Sequence, residues 1–95
     1  MPSPESIIAA TAAVTGVPVA AITGRRRNRH VAWARFLAIA AVRESRNWWT
    51  LQETGDFFNR DYTSIIHANQ RHADLLTTEP SYAGDWKNLL SYITT

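Results

Sequence analysis

Apolar residues recur every three to four positions through most of the chain, a spacing that predicts five or six helices and no strand. In the first segment Ile7, Ile8, Ala10 and Val14 are the inward positions. Ser3 or Ser6 can cap this helix, Pro4 suits its first turn, and Gly16 stops it after about Thr15. Pro18 opens a short helical turn, VAAI, that Gly24 closes. An arginine-rich loop, Arg25 to Arg29, leads into a long helix from about Asn28 or His30 to Arg46. Its inward stripe is Val31, Ala34, Leu37 or Ala38, Ala41 and Val42, which leaves Arg35, Arg43 and Arg46 off the stripe.

Asn47, Trp48 and Trp49 make a corner. Thr50 with Glu53 three residues later is a capping-box pattern, and it opens the short helix TLQETGDFF. Asn59 and Arg60 form the next turn, and a helix runs from about Asp61 to Leu76. Ile65, Ile66, Asn69, Ala73 and Leu76 are its expected buried side, with Thr63, Ser64, His67, Gln70 and Arg71 opposite. Pro80 and Gly84 break the chain before a last helix, Asp85 to Ile93, whose apolar face is Trp86, Leu89, Leu90 and Ile93. Trp86 and Tyr92 both read as core. The expectation is one compact all-α domain over residues 1–95, with a helix-turn-helix at about 50–77.

Composition supports a folded domain: 95 residues, 45% of them hydrophobic, suit a single modest core. With no cysteine, neither disulfides nor cysteine zinc sites hold it. No apolar run approaches the ~20 residues of a membrane span, and no basic lead precedes the apolar part of the N-terminus. A soluble cytoplasmic protein is the expectation.

Charge adds more than its net value of +2 suggests. Of the ten basic residues all but Lys87 are arginine, and Arg25, Arg26, Arg27, Arg29, Arg35, Arg43 and Arg46 fall in one stretch opposed only by Glu44. Arginine's planar donor fork suits phosphate and guanine, so this is the pattern of a nucleic-acid footprint, or else a solvated helix face. A short helix, a tight turn and a second helix with a polar first turn make helix-turn-helix syntax, in which that first turn meets base edges. Asp61 can accept from a cytosine amino group, and Tyr62 or Thr63 can touch a thymine methyl. Asp61 can equally cap its helix, and Arg60 can contact a phosphate or pair with Asp56. His67 and His72 are five apart, off a common face, which argues against a metal. No catalytic triad order, carboxylate pair or glycine-rich phosphate loop stands out, so an enzyme and a bound cofactor are not expected.

The stretch R-D-Y-T-S-I-I-H-A, residues 60–68, resembles the signature R-D-H-[TS]-T-V-x-H-A of the C-terminal DNA-binding domain of the bacterial replication initiator DnaA. The likeness extends over G-R-R-R-N-R-H-V-A at 24–32, A-R-F-L-A-I-A-A-V-R-E at 34–44, L-Q-E-T-G-D-F-F at 51–58 and D-W-K-N-L-L-S-Y-I-T at 85–94. It implies a TrpR-like helix-turn-helix that binds double-stranded DNA as a monomer per site. Asp61, Tyr62, Thr63 and Ser64 match the positions that read the major groove, and Arg27 matches the arginine placed in the adjacent minor groove. Arg29, Arg35 and Arg43 match positions near phosphates, and Arg26, Arg60 and His67 join the expected interface.

The chain also departs from the family. Tyr62 stands where the family usually has His, and Asn59 fills a shortened turn that is usually glycine-rich. The corner at Asn47 is one residue longer, and Trp33 and Phe36 replace residues that are often polar or basic. No G-x-x-x-x-G-K-[ST] loop is present, so the likeness implies a DNA-binding module without nucleotide chemistry. The sequence reads as a small complete protein, from a phage or mobile element, or as a fragment; Met1 favours the former. The output implied is regulation of replication or transcription at sites like those of the initiator. The alternative is a protein-interaction module that kept the fold, docking through an apolar surface of Trp33, Phe36 and Trp48.

Overall fold

The computed structural model describes residues 2–94, and all regular structure among them is helical. The helices are α1 (Pro4–Thr15), α2 (Val19–Thr23), α3 (Arg29–Ser45), α4 (Leu51–Phe58), α5 (Tyr62–Thr78) and α6 (Pro80–Ile93). The expected boundaries hold to within about two residues for the first five. Ser3 caps α1 by accepting from the Ser6 amide, and Gly16 ends it in the left-handed conformation at φ 76°. Asn28 caps α3 by accepting from the Val31 amide.

The long helix α3 is the hub and touches all five others. Its buried residues Val31, Ala34, Leu37, Ala38, Ile39, Ala41 and Val42 meet Ile7 and Ile8 of α1, Ile22 of α2, Phe58 of α4, Ile65 of α5 and Leu89 of α6 in one core. Small alanines on α3 let neighbouring backbones approach closely, while the isoleucines and Phe58 fill the gaps. Truncating a fully buried leucine such as Leu37 to alanine costs roughly 2–5 kcal/mol in such a setting.

Three expectations are corrected. First, α6 starts at Pro80, not Asp85, because proline at a helix's first position gives up only an amide that has no partner there. Gly84 lies inside the helix, in open space. Tyr82, in that added turn, is fully buried, whereas Tyr92 is 41% exposed. Second, the inward stripe of α5 runs through Ile65, Ala68 and Leu75, with Asn69 and Leu76 half-buried. Ile66, at 37%, and Ala73 are exposed. Two adjacent isoleucines fit either rotation of the helix, and packing against α3, α4 and α6 selects Ile65. Third, Arg35 is on the inward side of α3, 6% exposed, among the aliphatic residues.

Candidate nucleic-acid interface

The helix-turn-helix is built from backbone hydrogen bonds and one close approach. Thr50 and Glu53 form the reciprocal capping box that starts α4. The helix ends in a Schellman turn: the Asn59 amide donates to the Asp56 carbonyl (3.2 Å), and the Arg60 amide to the Gly55 carbonyl (2.8 Å). Asn59 takes the left-handed position at φ 56°, which asparagine tolerates better than other side chains. Gly55 is buried, and a Cβ there would lie 2.5 Å from the Arg60 carbonyl oxygen. That bare Cα lets the chain fold back tightly enough for α5 to begin beside α4.

Asp61 caps α5. Its Oδ1 accepts from the Ser64 amide (3.0 Å) and from the Thr63 hydroxyl (2.6 Å). The Thr63 bond first, then the Ser64 amide, holds the carboxyl below its ordinary range. Capping therefore engages one carboxylate oxygen before any ligand arrives. Around it Tyr62, Thr63, Ser64, Ile66, His67 and Gln70 are exposed, and Tyr62 is 50% so. His67 meets the edge of Phe36 on α3, with ring centroids 6.3 Å apart.

The loop from Gly24 to Asn28 lies beside this helix start. Arg25, Arg26 and Arg27 are exposed, as is Arg29, whose guanidinium sits over the Trp33 ring at 5.5 Å. The loop is gripped from two sides. Every guanidinium nitrogen of Arg35 donates to a backbone carbonyl: Nε to Ile22 (2.8 Å), Nη1 to Arg26 (2.9 Å) and Nη2 to Ala21 (2.9 Å). Arg60 donates through Nη2 to Gly24 (2.7 Å), not to Asp56, which accepts from Gln52 instead.

Between loop and helix lies an open cleft of about 590 Å³, lined by Arg25, Arg27, Arg35 and Arg60, by Thr63, Ser64, His67 and Phe36, and by three aliphatic residues. No carboxylate lines it. Burial, and then the charge of Arg60, brings the Arg35 guanidinium down to about 10. Burial, and then Arg25, lowers Arg60. Three cations are thus held in sequence, an arrangement that an anion relieves.

The structure brings Arg27, Arg35, Arg60, Thr63, Ser64 and His67 to one cleft, with Asp61 and Tyr62 at the same helix start. Arg26 lines a different groove, with residues of the α1–α2 connection and α2. Arg43 turns away, donating to the Thr54 hydroxyl (3.3 Å) and lining a groove with His72 and Trp86. Arg35, expected near a phosphate, is buried, its amphipathic side chain along the core and its head on three backbone carbonyls. Arg25 is a cleft residue that the site expectation omitted, although it stands in the same basic run. The family described as bacterial dnaA protein helix-turn-helix matches residues 4–71 of the 95, from α1 into α5.

Proposed function

The chain belongs to the bacterial DnaA helix-turn-helix family, and from that premise we propose that it binds double-stranded DNA in a sequence-specific manner. The start of α5 enters the major groove, and the loop at 24–28 enters the adjacent minor groove. Tyr62, Thr63 and Ser64 meet base edges there, Asp61 orders the helix start and offers its remaining acceptor capacity, and Arg27 reaches into the minor groove. Arg25, Arg26, Arg29 and His67 meet phosphates. The sites resemble those of the initiator, and occupying them regulates replication or transcription.

One observation carries this reading. A cationic, carboxylate-free cleft joins the arginine loop to the polar first turn of the second helix of a helix-turn-helix. Phosphates would follow that cleft, and base edges would flank it.

The test is fluorescence anisotropy with a duplex bearing an initiator-type box and a scrambled duplex, at two salt concentrations. Preference for the box is expected, together with an affinity that falls steeply with salt, by a logarithmic slope of about −0.9 per phosphate contacted. Salt-sensitive binding without preference would mean that the loop works but Tyr62 has changed the base read. An affinity that is flat with salt would overturn the reading.

A docking role draws on one observation, the 62% exposure of Trp48 beside the Arg46 guanidinium. Of the three residues expected to form its patch, Trp48 is exposed, and Trp33 and Phe36 are half-buried. Trp33 packs edge-on against Tyr82, and Phe36 against His67. Arg27→Ala separates the two roles, since it should cripple DNA binding and leave docking intact.

A further inference from the structure

The buried arginine of α3 sits where a phosphate contact was expected, yet all three of its nitrogens are already committed to the chain's own carbonyls. Ala21 and Ile22 belong to the last turn of α2, where the Ala21 carbonyl also accepts from the Gly24 amide (3.2 Å). Arg26 lies within the loop itself. One rigid fork therefore ties the end of α2 to the middle of the basic loop. It does so from a helix that also packs on α5. A flexible run of arginines would otherwise sample many conformations, and ordering it on binding would cost affinity.

We infer that Arg35 is a positioning residue: it braces the loop from inside so that Arg27 is presented at a fixed offset from α5, and it does not itself contact DNA. This rests on the DNA-binding reading above. The guanidinium's depressed proton affinity fits a cation that has given up water for backbone carbonyls. Lysine cannot take the role, because a single ammonium does not span three carbonyls in one plane.

The experiment is a double-mutant cycle of Arg27→Ala and Arg35→Lys, read by anisotropy with the box duplex across a salt series. Circular dichroism confirms that each variant is folded at the assay temperature. Arg35→Lys keeps the charge and is expected to weaken binding roughly tenfold, the scale of one lost charge-assisted hydrogen bond. Its salt slope should match the unaltered protein's, since no phosphate contact is lost. In the Arg27→Ala background it should cost almost nothing further, because the residue it presents is gone. A merely structural role would give additive losses.

Additive losses across the cycle would overturn the brace. Unchanged affinity in Arg35→Lys would overturn it as well. Should that variant unfold, the Arg35 Nε–H signal of the unaltered protein is followed by NMR. Slow exchange and a resonance unmoved by DNA support the brace, and a large shift on binding refutes it. If the unaltered chain binds no duplex, the reading of the site fails, and the brace is tested by amide exchange over residues 24–28. Faster exchange in Arg35→Lys supports it, and unchanged exchange refutes it.

Discussion

Arg60 and Gly24 are joined by a 2.7 Å hydrogen bond across 36 residues of sequence. The donor is the residue before the cap of α5, and the acceptor is the hinge at which α2 gives way to the basic loop. This bond fixes how far the loop stands from the helix start, and so the distance between the two proposed DNA contacts. Gly24 suits the place sterically, since a Cβ there would lie 2.8 Å from the Ala20 carbonyl oxygen. Arg60→Ala should therefore lower affinity for duplex DNA by roughly ten- to a hundredfold, from a lost charge-assisted bond of about 1.5–3 kcal/mol. Equilibrium anisotropy checks it. An affinity within twofold of the unaltered protein would show that the distance is set elsewhere.

Gly55 should be intolerant of even a methyl group. The atom it would strike is the backbone oxygen of Arg60, which cannot rotate away. Gly55→Ala is expected to destabilise the fold by about 1–3 kcal/mol, the usual range for overpacking, despite alanine's better helix propensity. It should also impair DNA binding at temperatures where the variant is still folded, because the turn must open and α5 must tilt. Thermal denaturation and a duplex titration measure the two effects. A variant as stable as the parent would show that the turn has slack.

Much of this was legible in the sequence, for reasons that differ by residue. Thr50 and Asp61 announced themselves as caps, since their oxygens accept from helix-start amides, whereas Ser3 stood beside Ser6 and Asn28 beside His30 as possible starts. The cleft's polar helix start and arginine loop were legible as types in sequence order. Arg35 was not. Arginine is normally exposed, and only the tertiary fold reveals carbonyls at the end of α2 within its reach. The start of α6 was misread because Pro80 and Gly84 both signal breaks, while the gain from burying Tyr82 depends on partners in α3 and α5. Gly55 gave no signal as a contact point, since a glycine within a helix marks close approach only once its neighbour is known.

Asn59 tests the turn independently. At φ 56° it occupies a region that costs an ordinary side chain roughly 1–2 kcal/mol. Asn59→Gly should be neutral or slightly stabilising. Asn59→Ala should lose about 1 kcal/mol, or roughly 4–8 °C in midpoint for a domain of this size, and Asn59→Val more. The ranking Gly ≥ Asn > Ala > Val by thermal denaturation is the expected result. Equal midpoints for Ala and Gly would mean that the turn relaxes out of the left-handed conformation.

The pair His72 and Tyr82 should set the pH limits of stability. The His72 Nδ1 and the Tyr82 hydroxyl lie 2.6 Å apart, and Trp86 packs edge-on against the imidazole at 4.5 Å. Burial lowers the proton affinity of His72 from its ordinary value of 6.5, and burial pushes the Tyr82 hydroxyl well above its ordinary 10.0. The two signs give a plateau. The unfolded chain takes up a proton at His72 more readily than the folded one, so stability falls as pH drops below about 6.5. It also releases the Tyr82 proton more readily, so stability falls again as pH rises above about 10. Asp85 acts the other way and lower down: burial raises its carboxyl above 3.8, so its share is present at acid pH and lost as pH rises through its folded value. Urea midpoints between pH 5 and 7 isolate the imidazole. His72→Asn keeps an acceptor near the Nδ1 position and should flatten that limb while lowering stability throughout, and Tyr82→Phe should flatten the alkaline limb. An unaltered protein equally stable at pH 5 and pH 7 would rule out a buried neutral imidazole at this junction.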